Sequence, residues 1–281
     1  MNGSTPFAIE EFSRNAIRFA ASHVAHPRIS MIFRLIILIL CVVLKLRGDD
    51  ADEFVREANA AEVNLNPHRA LEFLQRANLF RPDDALILQR IARQYSDLSI
   101  EQPNLEEKRR YIQIALGYAQ RARALNPRDP VNVLSLAICH GKLALYSDTR
   151  SKVFYSRLVR EEAEEALNLD SNYAWAHHLL GRWHCEVATL NAPSRLFVQL
   201  FYGDLPAASL TEGIRQLRRA TELEPTELNH WLELGFAFLA VDEKENARSQ
   251  WLRGLAMPSR SINDESAKQR ARAALAKLDE H

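Results

Sequence analysis

Trp231-Leu232-Glu233-Leu234-Gly235-Phe236-Ala237-Phe238, followed by Ala247-Arg248-Ser249-Gln250-Trp251-Leu252-Arg253-Gly254, is the stretch that decides the fold. The first segment sets an aromatic three residues before Leu-Gly and another aromatic three residues after the Gly. The second sets small residues seven apart with a large one between them. Two helices cross closely only where their side chains are small, so this is the pattern of a paired-helix tetratricopeptide repeat.

The pattern recurs in both directions along the chain. Its second-helix half reads Ala70, Leu74, Ala77, Pro82, then Ala115, Ala119, Ala122, Pro127, then Val159, Ala163, Ala166, Ser171, then Gly213, Leu217, Ala220, Pro225. Proline cannot continue a helix and marks the end of three of these segments. At one constant offset, the first-helix half falls on Leu88, Ile91, Ala92 and Tyr95, on Val133, Leu136, Ala137 and His140, and on His177, Leu180, Gly181 and His184. Phe54, Ala58 and Ala61 supply the first helix of the earliest copy. The registers predict an all-α, right-handed helical solenoid of about five helix pairs over residues 49–281. Asp264 to Asp279 is read as a polar C-terminal helix covering its last apolar face.

The spacing inside the pairs is uneven. Nine residues separate the two halves from Ala61 to Ala70 and from Phe238 to Ala247, but 20 from Tyr95 to Ala115, 19 from His140 to Val159 and 29 from His184 to Gly213. The three middle pairs thus carry 11, 10 and 20 extra residues, as longer helices or as added connecting segments on one face.

Composition narrows the function. Lys plus Arg equals Asp plus Glu at 36 each, so an anionic partner must be met by a local basic face. A neutral chain without aromatic-interleaved basic stretches argues against nucleic acid. Cys41, Cys139 and Cys185 are odd in number and unclustered, which fits a reducing compartment and no disulfide framework. No Walker loop, dinucleotide fingerprint, nucleophile elbow or metalloprotease helix is present, so no catalytic residue and no cofactor is expected.

Residues 1–48 are different material. Phe12 to Gly48 has no acidic residue, and Leu35–Leu44 is an unbroken apolar run, extendable to Ile32–Leu46 with Arg34 and Lys45 snorkelling. Fifteen helical residues span roughly 22 Å, short of the ~30 Å hydrocarbon core. Upstream, Ile9, Phe12, Ala16 and Phe19 share one helical face opposite Arg14 and Arg18, as in an amphipathic targeting segment, against which Glu10 and Glu11 count. The segment is read as a targeting or membrane-anchor element, with residues 31–47 as the anchor. A cleaved leader and a buried stretch stay open, and the flanking charges do not set an orientation.

Leu179-Leu180-Gly181-Arg182-Trp183, Val187-Ala188-Thr189-Leu190 and Leu200-Phe201-Tyr202-Gly203-Asp204-Leu205-Pro206-Ala207 resemble the regulator-of-microtubule-dynamics family, which has an L-G-R-W motif before a connecting segment and turn. Glu222-Leu223-Glu224-Pro225 and Ala247 to Leu252 extend the resemblance, which covers roughly residues 50–280. It departs at the turn, where Tyr202 is inserted. The resemblance implies a tetratricopeptide-like domain without catalytic residues, tubulin or microtubules as partner, a place at the cytoskeleton and spindle, and for some members a mitochondrial or endoplasmic-reticulum membrane.

Several constellations are candidates for partner binding. The basic surface is read at Arg150, Lys152, Arg157, Arg160, Arg215, Arg218 and Arg219; the pairs 157/160 and 215/218 each share a helix face. Such stripes suit acidic tubulin tails or anionic headgroups, or else are solvated faces paired with Glu161, Glu162, Glu164 and Glu165. Arg182 and Trp183 are groove candidates, with Trp183 weighed also as repeat core. The insertion carrying Phe197, Phe201 and Tyr202 is too apolar for a free loop. It gates the groove, covers a lipid, or packs as an extra helix. His177, His178, His184 and Cys185 lack zinc spacing and are read as core. The sequence supports a non-catalytic microtubule scaffold first, and second a lipid-binding or lipid-exchange module at a mitochondrial or endoplasmic-reticulum membrane. A polar, basic inner surface favours the first and an apolar one the second. A carboxylate-clamping adaptor needs aligned cations, and the third first helix offers only Lys142.

Overall fold

The computed structural model describes residues 50–202 and 206–280, apart from the side chains of Phe197, Phe201 and Tyr202. The apolar run at 31–47 lies outside them. Among the described residues, no helix is long and apolar enough to cross a membrane. From Ala51 onward the chain is one compact unit.

Twelve helices follow one another among the described residues: α1 (50–63), α2 (Pro67–Phe80), α3 (Ala85–Leu98), α4 (Leu105–Leu125), α5 (Pro130–Leu145), α6 (Thr149–Leu169), α7 (Ala174–Ala188), α8 (Ala192–Tyr202), α9 (Leu210–Leu223), α10 (Leu228–Leu239), α11 (Lys244–Leu255) and α12 (Asp264–Asp279). The pairs are α1–α2, α3–α4, α5–α6, α7–α9 and α10–α11, and the second helices α2, α4, α6 and α9 also pack on the next first helix. The first helices α3, α5, α7 and α10 touch one another in series and form the inner wall of a right-handed solenoid.

The repeat pattern is the core. Ala70, Leu74 and Ala77, their equivalents through Gly254, and the first-helix positions from Leu88 to Phe238 are buried, with Tyr95 half-buried. Each fully buried Leu or Ile contributes about 1.5–3 kcal/mol of transfer free energy. Glycine sits where helices approach most closely. A Cβ on Gly213 would lie 2.5 Å from Cys185 Sγ and 3.1 Å from the Gly181 carbonyl oxygen.

Turns between pairs repeat one device. The Asp84 carboxylate accepts from the amides of Leu86 and Ile87 at 3.0 and 3.2 Å, Asp129 from Val131 at 2.9 Å, and Glu227 from Asn229 at 3.0 Å. Each satisfies amides that a helix start leaves without an internal partner.

The first two insertions lengthen helices: α4 and α6 are 21 residues each, against 14 in α2. The third forms the extra helix α8, which packs on α6 and buries Val198. Arg195 donates to the carbonyls of Val187 and Ala188 at 3.3 and 3.2 Å, tying α8 to the end of α7.

The C-terminal segment covers the last apolar face, burying Ala271 against the α10–α11 core, and also reaches inward. Asp264 accepts from Asn229 Nδ2, from the amides of Arg260 and Ser261, and from Ser261 Oγ, at 2.6–2.9 Å. Next to it, Asn263 Nδ2 donates to Asp97 Oδ1 of α3 at 3.0 Å, a contact spanning 166 residues of chain.

Candidate functional site

The candidate surfaces follow from how the pairs stack. Second helices face outward, and α6 and α9 carry the basic stripe. Arg150, Lys152, Arg215 and Arg218 are exposed, and Arg157, Arg160 and Arg219 half-buried. The carboxylates come from one turn away on the same helices. Arg160 Nε donates to Glu164 Oε1 at 2.8 Å, Arg215 Nε to Glu212 Oε2 at 2.8 Å and Arg219 Nη1 to Glu222 Oε2 at 3.2 Å. Exposed pairs at this spacing are worth a few tenths of a kcal/mol and release their cations cheaply to a competing anion. Arg218 lies 5.7 Å from the Phe238 ring, and Arg160 5.4 Å from that of Trp183.

On α7, Arg182 donates to Glu186 Oε1 at 2.9 Å and stands 3.6 Å from Glu233 Oε2 of α10. Glu233 also pairs with Arg270 of α12. The Glu233 carboxylate beside it raises the pKa of Arg182 and holds it protonated. Arg182 therefore belongs to a polar network on the inner wall. Trp183 does not share that wall. It is 4 % exposed and packs in the core against α6, where its Nε1 donates to the Ser156 carbonyl at 2.8 Å. The side chains of Phe197, Phe201 and Tyr202 lie outside the described residues. Their helix, α8, rests on the outer helix α6 and leaves Leu196 55 % and Leu200 69 % exposed.

The histidines of α5, α7 and α10 hold helices together. His140 Nδ1 meets Glu162 Oε2 at 2.8 Å, His177 pairs with Gln216, and His184 Nδ1 accepts from the Ser209 amide at 3.4 Å. His178 and His230 meet at 3.0 Å through their Nδ1 atoms beneath Trp175. Burial pushes His230 down to about 4, and burial together with the neighbouring His230 also lowers His178. Among the described residues, no group of three or more His, Cys, Asp or Glu is arranged to hold a metal ion. Burial raises the thiols of Cys139 and Cys185, to about 12 and about 11, so neither is an activated nucleophile. Lys142 donates to the Ser96 carbonyl at 2.6 Å and sits 3.7 Å from Asp97, engaged within the wall.

Sequence reasoning missed a groove between α10, α11 and α12. Its signal was present: Arg270, Ala273, Ala274 and Lys277 fall on one helical face with small residues between two cations.

The family model described as regulator of microtubule dynamics protein 1–3 matches residues 49–279. Regulator of microtubule dynamics protein 1 of Bos taurus is 28% identical over 172 residues, covering 60% of this chain and 54% of the relative. Regulator of microtubule dynamics protein 2 of Homo sapiens is 24% identical over 186 residues, covering 66% of this chain and 45% of the relative. The matched region thus spans less than two thirds of these relatives' own length. A tetratricopeptide-repeat protein of Thermus thermophilus has a TM-score of 0.62 at 17% identity, over 80% of this chain and 99% of that one, and shares the fold.

Proposed function

Because the chain belongs to the regulator-of-microtubule-dynamics family, we propose that it is a non-catalytic scaffold that binds microtubules through the outer basic faces of α6 and α9. The match of the family model to residues 49–279 carries the reading. The contacting cations are Arg150, Lys152, Arg157, Arg160, Arg215, Arg218 and Arg219, summing weak, salt-screened contacts with acidic tubulin tails. The protein works at the cytoskeleton and spindle, and residues 31–47 hold it to a mitochondrial or endoplasmic-reticulum membrane.

The inner wall favours this reading over lipid exchange. The Arg182–Glu233–Arg270 network and the Lys142–Asp97 contact make it polar where a lipid module needs an apolar channel. Co-sedimentation of residues 49–281 with polymerised tubulin, intact or stripped of its acidic tails, tests the proposal. Binding that weakens with salt and is lost on stripping is the expected result. Failure to pellet with either form sinks direct microtubule binding.

A further inference from the structure

Where α12 folds over the last pair it leaves an open groove of about 590 Å³ lined by Phe236, Leu239, Ala273, Ala274 and Leu278, with Lys244, Arg270 and Lys277 as its charged residues. The floor is rigid. Phe236 packs edge-to-face on buried Trp251 at 5.1 Å, and Arg270 lies 4.9 Å above the Phe236 ring while pairing with Glu233. No carboxylate among the described residues lines the groove. Lys244 is 4.0 Å from Asp242 with both largely exposed, and Lys277 has no ion-pair partner among the described residues. An apolar trough whose rim carries Lys277 unpaired and Lys244 only loosely paired complements a ligand that joins an apolar body to negative charge.

We propose that this groove docks a short acidic peptide segment of a partner protein, seating one large apolar side chain on Phe236, Leu239 and Leu278 while flanking carboxylates meet Lys277 and Lys244. The openness of the trough favours a peptide over a lipid. An acyl chain laid in it keeps much of its surface in water, whereas a peptide needs only one anchor side chain desolvated, its backbone remaining solvated. The rim charges steer the encounter and the apolar seat sets the lifetime. This surface is separate from the α6 and α9 stripes and does not depend on tubulin being the partner.

The test uses the full chain and fluorescence polarisation with three labelled peptides: phenylalanine flanked by glutamates, alanine in its place, and phenylalanine flanked by lysines. The glutamate–phenylalanine peptide is expected to bind in a salt-dependent way, at least about tenfold tighter than the alanine peptide. Ala273→Phe fills the trough, and Lys244→Glu with Lys277→Glu reverses its rim; each weakens binding about tenfold. The reversed rim should instead capture the lysine-flanked peptide. All three positions are exposed, so unchanged circular-dichroism melting separates loss of the site from loss of the fold. Equal affinity for the alanine peptide, or indifference to both variants, overturns the proposal. So does binding only to vesicles of phosphatidylcholine with phosphatidylserine. Loss of tubulin pelleting with peptide binding intact would overturn the microtubule reading alone.

Discussion

The α7–α9 crossing and the α8 helix between them are consecutive in sequence and opposite in character. At the crossing, Gly181 and Gly213 bring two backbones so close that neither position has room for a Cβ. Eleven residues of α8 bury Val198, rest on α6 and leave two leucines in water. The register of the repeat explains the first region, because its small residues answer to the facing helix of the same pair. The second has no register to obey, and its surface is free to diverge without cost to the fold.

Substitutions sharpen that contrast. The largest effect is expected at Trp251, fully buried with its Nε1 donating to the Leu232 carbonyl at 3.1 Å. Trp251→Ala should cost about 4 kcal/mol in urea unfolding. Gly213→Leu overpacks the crossing and should cost about 3 kcal/mol by the same measurement. A loss below about 1 kcal/mol would mean the pairs slide apart easily, which breaks the comparison.

The His178–His230 pair joins α7 to α10 and adds a pH test. Both are held neutral in the fold, so the unfolded chain binds more protons once the pH falls below the ordinary histidine value near 6.5. Their contribution is present above that value and is lost as the pH drops toward about 4. For His230 the loss is on the order of 3 kcal/mol. Chemical unfolding at stepped pH should show it, with a flatter profile in His230→Gln. The smallest effect belongs to α8: Leu196→Ser with Leu200→Ser should change stability by less than about 0.5 kcal/mol. A loss of several times that would make α8 part of the core after all.

The fold was legible because its cause is local and repeated. Positions such as Ala163, Leu217 and Gly235 each carry the packing rule within one pair. The insertions were legible as lengths only. Nothing in the residues between Tyr95 and Ala115 says that they lengthen a helix, whereas those between His184 and Gly213 fold into a new one. Pairing of the basic stripes was legible for α6, where the glutamates from 161 to 165 stand beside Arg160, but not for α9, where Arg215 was read against Arg218 and not against Glu212 three residues earlier, to which it bonds. Trp183 stood beside Arg182 in the chain, yet neighbours on a helix point about 100° apart, one to the wall and one to the core. Asn263 and Asp97 could not be paired from sequence, since their meeting depends on the accumulated curvature of four helix pairs.

That last meeting changes what kind of object the solenoid is under load. A spiral whose layers grip only their neighbours stretches like a spring, each layer yielding a little. A fastening between residues 97 and 263 shunts the four pairs that it spans, so tension applied across them is carried first by the clasp and only afterwards by the layers. A pull across that span would then meet stiff resistance up to a threshold force and abrupt lengthening beyond it.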